Sequence, residues 1–478
     1  MKKILFAASE GNPFIKTGGL ADVVGALPKY LDKKQFDVRV ILPKYMCIPE
    51  HLKQKMTYVT EFYADMPRGQ EYIGIFKTVS EGIHYYFIDN EHYFAGDSPY
   101  HQIFEDVNKF AFFSRAVLAS LPVLGFSPDI LHCHDWQAAL IPVFLKEFYC
   151  NDVFFRNTKT VLTIHNQKFQ GRWAIDDIEN CRDLPTGCRY QAMEAYGESN
   201  FLKAGILYAD RVTTVSETYA AEIQARDGGE GLDGVMRQVS GKLSGIINGI
   251  DYKEYDPKHD ACLPSHFSNR SFGRKKRCKE LLQQEMGLEK DPLAMVIGIV
   301  SRMTEQKGFD LVNCVMEELI ATMHVQVAIL GTGEDRFESS FRYFAQKYPG
   351  RVSASISYSE ALAHKIYAGA DAFLMPSQFE PCGLSQLISM RYGTIPIVRE
   401  TGGLKDTVEA YNEIWHTGTG FSFANYDAGE MLSIIRYAYS VFQDTPKEWT
   451  AMAKRCMETD NSWENSAGKY EALYEEIL

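Results

Sequence analysis

The chain repeats one pattern: a short, mostly apolar run, a polar turn, then a longer stretch in which apolar residues recur at helical spacing. In the first half, β-branched-rich runs stand at Ile4–Ala8, Val38–Leu42, Tyr85–Ile88, Ile130–Cys133, Val161–Ile164 and Val212–Val215. In the second half they stand at Met295–Val300, Val325–Leu330, Ala372–Met375 and Ile395–Val398. Runs that do not alternate with polar residues predict strands buried on both faces, as in parallel sheets covered by helices. Strand–helix alternation in both halves predicts an α/β chain of two doubly wound domains. A polar passage from Asn248 to Lys279, carrying Pro257 and Pro264, is the predicted hinge between them. The C-terminus reads as one amphipathic helix, with Ser462 as N-cap and Trp463, Ala467, Tyr470, Tyr474 and Ile477 on one face.

Composition narrows the class. A chain of 478 residues is too long for one ordinary core, and 45% hydrophobic with 23% charged residues is the balance of a soluble globular protein. No apolar run approaches the ~20 residues of a membrane span. The opening MKKILFAASEG reads as a first strand, because its apolar run ends too soon for a signal peptide and Glu10 follows. A net charge of −12 argues against general nucleic-acid or anionic-membrane binding. The ten cysteines include no CxxC pair and no zinc-like spacing. Several, such as Cys133 and Cys314, sit beside apolar residues and read as core fillers, and a reducing cytoplasm is the predicted compartment. The only basic cluster, Arg274 to Arg277, reads as a solvated linker.

Doubly wound sheets bind ligands at the carboxyl ends of their strands. One tetrapeptide, Thr-Gly-Gly-Leu, occurs twice between a strand and a helix, as KTGGL from Lys16 and as ETGGL from Glu400. Two glycines allow positive φ and close approach of a ligand, and the first N–H groups of the following helix favour anions. Lys16 adds a cation to the first copy; a tight loop common to two similar domains is the plainer account of the second. Other strand ends carry Ser9-Glu10-Gly11, His132 to Trp136 (HCHDW), His165-Asn166-Gln167 and Ser216-Glu217. His165 is the strongest ligand candidate, whereas His132, His134 and Asp135 read first as structural residues and only second as ligands. In the second half, Arg302 and Lys307 lie five apart in SRMTEQKGFD, where a forked guanidinium and a point charge can reach one anion. Glu380 stands in a rigid turn, FEPCGLSQL, just before a helix, either as a site carboxylate or as a helix cap. ILGTGED lacks the third glycine of a dinucleotide fingerprint, which disfavours NAD. With no Asp-x-Asp in the chain, lysine, arginine and helix termini rather than a divalent ion are expected to neutralise a diphosphate.

KTGGLADVVGALPK, HCHDWQAAL, GEGLDGV with GKLSGIINGID, SRMTEQKGFD and PSQFEPCGLSQL together resemble bacterial glycogen synthases and plastid starch synthases. The resemblance runs in order over nearly the whole chain, and Met1 leading straight into a strand looks like the bacterial form. It implies a GT-B fold divided into 1–247, 248–455 and a C-terminal helix, 456–478, packing back on the first domain across a cleft. It implies retaining transfer of glucose from ADP-glucose to the non-reducing end of an α-1,4-glucan such as glycogen, without a metal or other cofactor. Carried over by motif, Lys16, Gly18 and Gly19 would contact the donor diphosphate and sugar, and Arg302 and Lys307 would stabilise departing ADP. Glu380 and His165 would lie at the glucosyl unit, and the Cys382, Gly383 and Leu384 amides would hold sugar hydroxyls or phosphate. Asn248 would line the donor pocket, Tyr358 would stack on adenine, and Tyr100 would lie near the sugar. A retaining glycosidase needs two carboxylates ~5–5.5 Å apart, but ADP leaves readily and needs charge stabilisation more than protonation. Rival readings are a GT-B enzyme using UDP-glucose or a small acceptor, and an inactive glucan-binding homologue.

Overall fold

The computed structural model describes residues 1–478, which divide into two compact units. Met1–Ile246 and Ser466–Leu478 form the first, and Ile247–Asn465 the second. No helix is long and apolar enough to cross a membrane.

The first unit is built on a nine-stranded sheet. Its parallel part runs, in spatial order, Leu243–Gly245, Arg211–Thr214, Lys159–Ile164, Ile130–His134, Lys2–Ala7, Phe36–Pro43 and Ile83–Asp89. Strand order reverses between Lys2–Ala7 and Ile130–His134, so Ser9-Glu10 and His134-Asp135 flank the switch point where such sheets open a crevice. An antiparallel hairpin, Thr57–Met66 with Gly69–Ser80, finishes one edge. It was not among the predicted strands: Thr57–Met66 is mostly exposed or half-buried, and in Gly69–Ser80 only the short run Ile73-Gly74-Ile75 is buried. The C-terminal helix Trp463–Ile477 buries Ala467, Tyr470 and Tyr474. From Ser466 onward it belongs to this unit, where the Tyr474 hydroxyl meets His132 Nδ1 at 2.6 Å. His132 Nε2 lies 2.6 Å from the Thr163 hydroxyl, so the buried ring has both nitrogens satisfied.

The second unit has a six-stranded parallel sheet. Its order is Val352–Ser355, Val325–Leu330, Met295–Val300, Ala372–Met375, Ile395–Arg399 and Phe421–Phe423. The reversal falls between Met295–Val300 and Ala372–Met375, which places the loops bearing Arg302, Lys307 and Glu380 at one crevice. Within this unit Ile250 N donates to Asn461 O at 2.9 Å, and Gly249 packs on the backbone of Ser462 and Trp463.

Two expectations are corrected. The Arg274–Arg277 cluster is not a linker but the start of a helix, Lys275 to Glu285; Arg274, Lys276 and Arg277 are exposed as expected, whereas Lys275 is buried with its ammonium donating to Ala368 O and Thr394 Oγ1, each at 2.7 Å. Burial lowers its pKa to about 8, and the polar partners let the cation stay inside. Cys314 is exposed rather than a core filler, because it falls between the buried positions of the helix Phe309–Thr322. Cys133, in a strand covered on both faces, is buried.

Candidate active site

In the first unit, Glu10 is the hub. It is almost wholly buried and accepts from the Thr17 backbone N–H, from Thr17 Oγ1 at 2.7 Å and from the Tyr100 hydroxyl. Tyr100 also meets Ser9 Oγ at 2.8 Å, and burial, then Glu10, holds its phenol well above the usual range. One carboxylate thus pins the Lys16–Gly19 loop and Tyr100 together. Glu10 was legible only as a polar strand end; its partners lie 7 and 90 residues away. Lys16 pairs with Asp22 at 2.7 Å.

Gly18 and Gly19 depart from the expected positive φ. Gly18 is extended at φ −158° and Gly19 begins the helix Gly19–Tyr30. A Cβ on either would meet nothing within 4 Å, so these glycines leave open space above a helix N-terminus. The second copy behaves differently: Gly402 has φ +43°, and Cβ atoms at Gly402 and Gly403 would lie 2.0 Å from the Glu380 and Cys382 carbonyl oxygens. The same four letters therefore make an open loop in one unit and a tight backbone contact beneath the Glu380 turn in the other. Glu400 accepts from Ser422 Oγ at 2.7 Å.

His165 follows its strand and is half-buried. Its backbone N–H donates to Asp135 Oδ1 at 2.7 Å, and its Nε2 lies 3.0 Å from His134 Nδ1. Asp135 holds a left-handed backbone at φ +54°. Burial pushes the Asp135 carboxyl up to about 7 and the His165 imidazole down to about 3, so His165 is uncharged at neutral pH.

In the second unit, Lys307 Nζ and Glu380 Oε2 are 2.6 Å apart, and Ser377 Oγ donates to the same oxygen at 3.0 Å. Glu380 is therefore paired, not a helix cap. Gly308, at φ +74° with its Cβ position 2.1 Å from Pro376 O, lets the Lys307 loop press against the Glu380 turn. Gly383, also left-handed at φ +74°, shapes the turn, and Gln386 Nε2 donates to Cys382 O at 3.0 Å and Gly383 O at 2.9 Å. Asn248 lies beside the Cys382 thiol, which burial pushes up to about 12, and the Asn248 Oδ1 is buried without a partner. Leu384 precedes the helix Ser385–Arg391. Arg302 is exposed and makes no ion pair. Tyr358, 81% exposed, has no hydrogen bond or ring contact with these residues. The structure thus gathers Lys16, Gly18, Gly19 and Tyr100 in one unit, and Lys307, Glu380, Cys382, Gly383 and Asn248 in the other. Sequence reading passed over Ser377 and Gln386, whose roles arise from hydrogen bonds that no motif spacing displays.

Two Rossmann-like units with polar, glycine-bearing strand ends define a GT-B glycosyltransferase. Residues 3–238 match the family described as starch synthase catalytic domain, and residues 283–454 match glycosyl transferases group 1. A glycogen synthase of Lachnospira eligens is 56% identical with full coverage of both chains. One from Anoxybacillus flavithermus is 49% identical over 100% of this chain and 98% of its own. The catalytic domain of starch synthase IV from Arabidopsis thaliana, solved with ADP and acarbose, superposes with a TM-score of 0.91 at 31% identity, covering 100% of this chain and 99% of that one. The chain belongs to the glycogen and starch synthase family, and it is an enzyme of glucosyl transfer in glycogen synthesis.

Proposed function

We propose that the enzyme takes glucose from ADP-glucose and adds it to the non-reducing end of an α-1,4-glucan, with retention of configuration, in the bacterial cytoplasm. The observation that carries this reading is the Lys307–Glu380 pair at 2.6 Å, a cation and a carboxylate meeting at the switch point of the second sheet. The Arabidopsis relative, which was solved with ADP and acarbose, supports the donor and the glucan.

Lys307 and Arg302 take up negative charge developing on the diphosphate as the glucosyl–oxygen bond breaks. Preorganised donors of this kind are worth about 3–4 kcal/mol each in the transition state. In the first unit, Lys16 and the open N-terminus of Gly19–Tyr30 offer positive potential to an anionic group of the donor. Glu380 faces the oxocarbenium-like glucosyl unit, and neutral His165 contributes hydrogen bonding without competing positive charge. Asn248, Cys382, Gly383 and Leu384 hold the donor, Tyr358 stacks on its adenine, and Tyr100 borders the sugar. Because charge is met by side chains and amides, no metal takes part.

The test is ADP release from ADP-glucose with glycogen, run with EDTA and beside a UDP-glucose reaction. Glycogen-dependent ADP release insensitive to EDTA is expected. Turnover of UDP-glucose alone would overturn the donor assignment, and inhibition by EDTA would overturn the metal-free reading.

A further inference from the structure

Three imidazoles lie in a row at the carboxyl ends of adjacent strands in the first unit. Strands Ile130–His134 and Lys159–Ile164 pair in parallel with His134 opposite Thr163, which brings His134 beside His165. The His134 ring is fully buried and stacks with Phe6 (centroids 5.4 Å, interplanar 21°) and with His132 (4.3 Å, 27°). His132 is itself held by Tyr474 and Thr163, so the ring of His134 has a fixed seat.

His134 Nδ1 lies 3.0 Å from His165 Nε2, while His134 Nε2 is buried with no partner. Burial drives both rings to the neutral form. A neutral imidazole carries one N–H and one lone pair, so the contact holds one proton and allows two arrangements. In one, His134 donates from Nδ1, buries a bare lone pair at Nε2, and leaves the His165 proton on Nδ1. In the other, His165 donates from Nε2 and His134 must bury an N–H that has no acceptor. Orphaned buried N–H groups are the rarer defect, because a donor loses its full hydration with nothing in return.

We propose that His134 is a positioning residue: by donating from Nδ1 to His165 Nε2 it holds His165 as the Nδ1–H tautomer, so that this N–H is offered to an oxygen of the reacting sugar. The inference rests on the place given to His165 in the reading above. It makes His165 a hydrogen-bond donor rather than a proton acceptor, and its tautomer a property of the resting enzyme.

The decisive measurement is long-range proton–nitrogen correlation on ligand-free enzyme with 15N-labelled histidine. Of the 12 histidines, His165 is assigned by the signal lost in His165→Asn. The expected result is a protonated Nδ1 and a pyridine-like Nε2. The reverse pattern overturns the proposal whatever the donor and acceptor prove to be, whereas failure of ADP-glucose to react would sink the functional reading and leave the tautomer standing. Kinetics supplies the second arm. His134→Asn keeps an N–H near the Nδ1 position and should hold kcat within about threefold of wild type. His134→Phe removes the donor and should lower kcat at least about tenfold, with KM for the donor within about twofold, and move the His165 proton to Nε2. Equal kcat in the two variants would contradict the proposal. Should His134→Phe fail to fold, the wild-type tautomer decides alone.

Discussion

A single methyl group at Gly403 tests how the second glycine turn serves the Glu380 carboxylate. A Cβ there would lie 2.0 Å from Cys382 O, 2.5 Å from its Cα and 2.6 Å from its carbonyl carbon. Carbon and oxygen approach to about 3.3 Å, so one segment must retreat by about 1.3 Å, and all three obstacles are backbone that no rotamer change can clear. Overpacking of this kind costs about 1–3 kcal/mol. In a unit of this size each kcal/mol lowers Tm by about 2–4 °C, which predicts a fall of about 2–12 °C for Gly403→Ala. Gly403 N also donates to Glu380 O at 3.1 Å and Pro381 O at 3.2 Å, so the displaced turn carries Glu380 with it. A misplacement near 1 Å at a reacting group costs about 100-fold in rate. Initial-rate ADP release and a thermal scan measure both effects. Gly19→Ala is the contrast: its Cβ meets nothing within 4 Å, so Tm should stay within about 1 °C while KM for ADP-glucose rises. Wild-type Tm and kcat in Gly403→Ala would refute the account of the turn.

Arg302→Ala and Lys307→Ala should each lower kcat by about 100- to 1,000-fold; near-wild-type rates in both would remove them from leaving-group stabilisation. Lys307→Ala should also lower Tm, since it strands the buried Glu380 carboxylate, and adding Glu380→Gln should restore stability without restoring turnover. Tyr474→Phe should destabilise the first unit by about 1–3 kcal/mol by leaving a buried His132 nitrogen unpaired, measurable by denaturant titration; an unchanged midpoint would show the bond to be dispensable. Asp135 gives a pH signature. Its carboxyl is raised to about 7 by burial, against the backbone N–H groups of His165 and Asn166, from an ordinary value of 3.8. The folded chain keeps a proton that the unfolded chain has lost, so this group's contribution to stability falls as pH rises from about 4 to 7 and is level above. Asp135→Asn should flatten that slope and stabilise the enzyme at pH 8 by about 1–4 kcal/mol; an unchanged slope would contradict the buried-carboxyl account.

The parallel cores were legible in the sequence because strands covered on both faces write themselves as mostly apolar runs, and Met295–Val300 and Val325–Leu330, the latter despite Gln326, match residue for residue. The hairpin left a weaker mark: Thr57–Met66 is buried only at Met66, and Gly69–Ser80 carries just the short run around Ile73-Gly74-Ile75. Lys275 was misread for a related reason: a lysine is silent about burial until the carbonyls waiting for it are known. At the site, motifs located Lys307 and Glu380, but their pairing depends on Gly308 approaching Pro376, a contact between loops 68 residues apart in the chain. The two Thr-Gly-Gly-Leu copies show the limit most plainly. Identical letters give a crowded turn where Glu380 O and Cys382 O stand opposite, and an open one where nothing does.

The last thirteen residues belong to the first unit, and this bears on how the protein is made. A ribosome releases Met1–Ile246 first, yet Tyr470 and Tyr474, which are fully buried in that unit, emerge last. At about 5–20 residues per second, the nascent first unit waits some tens of seconds for them. Throughout that time His132 lacks its Tyr474 partner and the surface reserved for the final helix stays bare. The first unit to be synthesised is therefore the last to be finished, and a chain shortened by two turns at its C-terminus, which removes Tyr474, leaves the ribosome with its oldest half still incomplete.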